Sequence, residues 1–63
     1  MLEITLTQKA FDSFTKDLQA NRIAAQAVVK TTLYFLEDSP KLQMAIQLVK
    51  ERFGTGSISI KSF

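Results

Sequence analysis

Leu2, Ile4 and Leu6 alternate with Glu3, Thr5 and Thr7 at the start of the chain. A period of two puts the apolar side chains on one side of an extended segment, so the pattern predicts a half-buried strand. From Gln8 the period changes. Ala10, Phe11, Phe14 and Leu18 fall within about 100° of arc on a helical wheel, which predicts an amphipathic helix that Thr7 can cap. Asp12 stands four residues before Lys16, a favourable spacing for an exposed ion pair. The apolar stripe runs out near Asn21, where the helix should stop.

Residues 23–37 admit two readings. As a helix, the segment gathers Gln26, Lys30 and Glu37 on one narrow polar strip, with Tyr34 at its edge. Apart from the threonines the other positions are apolar, as in a helix buried in the middle of a domain. As a strand, Ala27, Val29, Thr31, Leu33 and Phe35 would alternate with Val28, Lys30, Thr32, Tyr34 and Leu36. The β-branched residues favour the strand. Ala24, Ala25 and Ala27 favour the helix, and no turn residue after Asn21 marks where a strand would begin. The expectation is a helix, with a strand over 27–36 as the alternative.

Ser39-Pro40 is the clearest boundary in the chain: serine accepts from an orphan amide and proline at the next position pre-sets φ for a helix. Leu42, Ile46, Val49 and Phe53 then fall within about 60° of arc, a narrow core stripe. Lys50 and Arg52 suit the negative end of the helix dipole, and Gly54 suits the left-handed position that ends it. Ser57 to Lys61 alternate again and predict a short closing strand. The expected architecture is α+β, mainly α, running strand-helix-helix-helix-strand in a single domain over residues 1–63. The two short terminal strands pair, within the chain or across a dimer, because a lone strand leaves its backbone groups unsatisfied. If 27–36 is a strand, the order becomes β-α-β-α-β.

Size changes the picture next. A chain of 63 residues is near the lower limit for folding alone and usually needs a staple. With no cysteine there is no disulfide and no thiolate metal site, and with no histidine an ordinary zinc site is lost as well. Hydrophobic residues make up 46% of the chain, enough for a core. Packing and self-association remain, so a homodimer is expected. The start of the chain lacks the basic segment and apolar run of a signal peptide. Gln26 and Lys30 interrupt the longest apolar stretch, Ile23 to Leu36, which falls short of the ~20 residues of a membrane span. The expected setting is therefore cytoplasmic, with no membrane partner.

Catalysis at neutral pH usually wants a group titrating near 7, and histidine is absent. Glu37-Asp38 is the only adjacent carboxylate pair, and it reads as a solvated loop before a helix cap. Gly54-Thr55-Gly56 ends a helix instead of opening one, so it is no phosphate loop. These absences point away from an enzyme and imply no cofactor and no metal.

The formal charge of +2 comes from eight basic and six acidic residues, and the basic ones are spread along the whole chain. That neither requires nor excludes nucleic acid. What remains is surplus apolar surface. Met44 and Leu48 point away from the Leu42–Ile46–Val49–Phe53 stripe and are flanked by Lys41, Glu51 and Arg52. The expected function is a non-enzymatic protein-binding module, an adaptor or inhibitor that occupies a surface of a larger protein, with Met44, Leu48, Lys41 and Arg52 at a partner or dimer interface. The alternative is a dimeric DNA-binding regulator of ribbon-helix-helix topology, with Thr5, Thr7, Lys9 and Arg22 as contacts. In that reading Glu3 would face a phosphate backbone, which is unfavourable.

Overall fold

The computed structural model describes all residues, Met1 to Phe63. Strand β1 (Leu2–Leu6) leads into helix α1 (Gln8–Ala20), and a hairpin of β2 (Ala27–Val29) and β3 (Thr32–Phe35) follows. Helix α2 (Pro40–Phe53), one 3-10 turn (Thr55–Ser57) and strand β4 (Ile58–Ser62) complete the chain. The strands form one sheet in the order β2-β3-β1-β4, with every neighbouring pair antiparallel. The connectivity is β-α-β-β-α-β, two interleaved split βαβ units.

This corrects the expected strand-helix-helix-helix-strand order. There are two helices, not three, and residues 23–37 are extended. The alternative of one strand over 27–36 comes nearer, but it misses the turn that folds the segment into two strands. Arg22 and Lys30 are the two non-glycine residues with positive φ, 56° and 55°. Arg22 is the left-handed residue after α1. Its amide bonds the Gln19 carbonyl at 3.1 Å, and the Ile23 amide bonds the Leu18 carbonyl at 2.9 Å. That pair of bonds is a Schellman cap, which reverses the chain and tucks Ile23 against the core. Lys30 opens the two-residue turn between Val29 and Thr32, which are cross-strand partners. The apolar residues that suggested an all-round buried helix are instead sorted by alternation: Leu33 and Phe35 are buried, while Thr32 and Tyr34 lie on the other face, partly buried. A chain this short has no second layer in which to bury an apolar helix on all sides.

The predicted ends of α2 match the structure. The Ser39 hydroxyl accepts from the Leu42 amide at 3.1 Å, Pro40 opens the helix, and Gly54 follows it with φ 87°. Thr7 is at the N-cap of α1 but its side chain makes no capping bond. Asp12 accepts from the Gln8 amide group at 3.2 Å instead of pairing with Lys16. Phe53 is the exception in the α2 stripe: it is exposed, and Ala45 is buried beside Leu42, Ile46 and Val49. The core joins these four to Ile4, Leu6, Ala10, Phe14, Leu18, Leu33, Phe35 and Ile58. The terminal strands pair within the chain, from Leu2 opposite Ser62 to Leu6 opposite Ile58.

Candidate interaction site

Alternation assigns every strand residue to one of two sheet faces. One cross-strand row on the helix-covered face runs Val28–Leu33–Ile4–Ile60. Its central members are 1% and 0% exposed, and its outer members are 53% and 38% exposed. The helices thus cover the two central strands and leave the edges bare. The opposite face has no covering layer. Two rows cross it, Ala27–Tyr34–Glu3–Lys61 and Val29–Thr32–Thr5–Ser59. The Thr5 and Thr32 hydroxyls are hydrogen-bonded at 3.1 Å. Two charges stand among these positions, Glu3 and Lys61, of opposite sign and on adjacent strands. Tyr34 is the aromatic group of these two rows, on an inner strand.

The residues expected at a partner interface are divided. Met44 and Leu48 do lie on the solvent side of α2, 67% and 38% exposed, and Lys41 is exposed one turn earlier. Arg52 is not free. Its guanidinium donates to the Ser13 hydroxyl at 3.1 Å and lies 3.6 Å from an Asp17 carboxylate oxygen on α1. That oxygen is shielded from solvent and has no hydrogen-bond partner, so Arg52 compensates its charge without bonding to it. Arg52 is a clamp between the helices.

Of the residues expected to touch nucleic acid, Thr5, Thr7 and Lys9 line adjoining hollows, and Arg22 stands apart from them. Thr5 is on the open sheet face, and Thr7 and Lys9 flank the start of α1. Arg22 is beyond the other end of that 13-residue helix, about 20 Å away along its axis. A ribbon-helix-helix dimer also needs a first strand with a free edge. Here β1 is bonded on both sides, to β3 and β4, so it cannot enter an intermolecular ribbon.

The larger of two shallow depressions, about 450 Å³, lies at the start of α1 and is lined by Thr7, Gln8, Lys9, Phe53, Gly56 and Ser57. It adjoins a smaller hollow of about 230 Å³ that reaches Thr5, Ile58 and Ser59. Lys9 is the single titratable side chain of the two, so neither pairs an acid with a base. No group of three or more carboxylates is placed to hold a metal ion, and no helix is long and apolar enough to cross a membrane.

The open sheet face is the surface that sequence reasoning missed. Its residues come from four segments between Glu3 and Lys61, and nothing local marks them. The one usable signal was the alternation of Thr32 and Tyr34 with Leu33 and Phe35. Comparison of the chain with protein-family models, curated proteins and solved structures finds no match.

Proposed function

We propose that the chain is a non-enzymatic protein-binding module, an adaptor or inhibitor, and that it meets its partner with the open face of its sheet. One observation carries this reading: the two cross-strand rows of that face hold a single pair of opposite charges around Tyr34, Thr5 and Thr32. Interface centres are poor in charge and rich in aromatic groups. The helical surface around Met44 and Leu48 carries a similar charge pair, Lys41 and Glu51, but no aromatic group, and is the less suitable of the two. A sheet also presents its side chains from a rigid backbone, which lowers the ordering cost of binding.

The test is co-purification of the partner with the tagged chain. Thr5→Arg places a charge at the centre of the face without touching the core and should abolish capture. Met44→Asp and Leu48→Asp should leave it intact. The reverse pattern would assign binding to α2. Retention on nonspecific DNA that falls steeply with salt would favour the nucleic-acid reading instead. Reproducible turnover of a substrate, abolished by changing one polar residue, would overturn the non-enzymatic reading.

A further inference from the structure

The two edges of the sheet differ in how they are finished. At the β2 edge the strand has three residues, and its pairing slips at Gln26: the Gln26 amide bonds the carbonyl of Tyr34 at 2.7 Å, although Tyr34 is the partner of Ala27. Two residues opposite one is a bulge, and short bulged edges resist pairing with another chain. The β4 edge has neither protection. Its five residues keep an unbroken register with β1, without proline or bulge.

The backbone of β4 also shows which groups are free. Thr7 donates to the Ser57 carbonyl at 3.0 Å, and Met1 and Phe63 exchange bonds of 2.8 and 2.9 Å. The Ser57 carbonyl and both backbone groups of Phe63 therefore turn toward β1, while the Ser57 amide bonds the Gly54 carbonyl at 3.2 Å, and alternation gives Ser59 and Lys61 the direction of Phe63. Ile60 and Ser62 turn both backbone groups outward, and Ile58 turns its carbonyl outward. No turn or cap hydrogen bond uses the backbone of Ile60 or Ser62.

We propose that this edge joins two copies of the chain: β4 pairs antiparallel with β4 of a second copy about a two-fold axis at Ile60, giving one eight-stranded sheet. The register follows from the free groups. The two Ile60 residues exchange amide and carbonyl bonds, and each Ser62 amide reaches the Ile58 carbonyl across the axis. Lys61 then stands beside Ser59 of the other copy, so no like charges meet. The two Ile60 side chains abut on the helix-covered face, which continues the Leu33–Ile4–Ile60 row into the second copy and buries a residue otherwise 38% exposed. An axis at Ile58 or Ser62 would pair only half the strand. The second copy is the favoured occupant because the edge is self-complementary, as a two-fold interface requires. The axis is normal to the sheet, so both open faces lie on one side as a continuous surface. The proposal names the edge behind the dimer expected from chain size and does not depend on which face meets another protein.

Sedimentation velocity on the intact chain tests it. The wild type should sediment at about twice the 7.1 kDa chain mass at high micromolar concentration. Ile60→Lys opposes two cations at the axis, and Ser62→Pro removes an outward amide that β1 does not use. Both should give the single-chain mass with native circular dichroism, while Val28→Lys at the β2 edge should remain dimeric. Thr5→Arg should also remain dimeric, which separates this proposal from the open-face reading. A wild type that stays at single-chain mass overturns the proposal. So does a dimer that survives Ile60→Lys and Ser62→Pro, or one that Thr5→Arg dissociates. If Ile60→Lys loses its native spectrum, Ser62→Pro and protection of the Ile60 amide from exchange with rising concentration decide the matter.

Discussion

Leu33 and Tyr34 are neighbours on β3, and they belong to different halves of the protein's work. Leu33 is in the row with Ile4 that the two helices bury; Tyr34 is in the row with Glu3 and Lys61 that nothing covers. The covered row is uniformly aliphatic. The open rows mix an aromatic ring, hydroxyls, small apolar groups and one charge pair. Burial demands shape and apolarity, so the first face is explained by folding alone. Folding makes no such demand on the second face, and its low charge is the feature left for binding to explain.

Truncation on the covered face should give the largest effect. Leu33→Ala removes a fully buried side chain and should cost about 2–5 kcal/mol, read as a fall in the urea midpoint. Much of a small domain's stability would go with it. One residue along, Tyr34→Ala should cost less, about 1–2 kcal/mol, because Tyr34 is only partly buried. A cost for Tyr34 equal to that for Leu33 would break the distinction between the faces. Losing the Ser39 cap should cost about 1 kcal/mol in Ser39→Ala, whereas Thr7→Ala should change little because Thr7 makes no capping bond. A small effect of the opposite sign should come from the hairpin turn. Lys30 holds a left-handed conformation that costs an L-residue about 1–2 kcal/mol, and glycine returns about 0.5–1 kcal/mol of that as lost chain entropy. Lys30→Gly should therefore raise the melting temperature slightly. This turn fixes the register that puts Leu33 inside and Tyr34 outside, since a slip of one residue would exchange them.

The same turn shows why part of the fold could not be read from sequence. α2 was legible because its signals are local and agree: Ser39 caps it, Pro40 starts it, Gly54 stops it, and Leu42, Ile46 and Val49 form its stripe. The hairpin was not, because Lys30 and Arg22 occupy left-handed positions where asparagine or glycine would have announced a turn. Tertiary context set those conformations: the Schellman bonds at Arg22, and pairing of β3 with β1. Phe53 was misplaced because the stripe continues geometrically past the point where α2 has core to cover. Among the site residues, the wheel alone exposed Met44 and Leu48. The partners of Arg52, Ser13 and Asp17, are on the other helix and have no sequence signature. The open face needed the whole topology, since its rows unite residues 3, 34 and 61.

The functional account rests on that face being the binding surface. Incorporation of a photo-crosslinking amino acid at position 34, and separately at position 44, in cells that make the chain naturally tests this most directly. The account predicts adducts to one protein from position 34 and none from position 44. Adducts from position 44 alone would contradict it and return the binding site to the outer surface of α2.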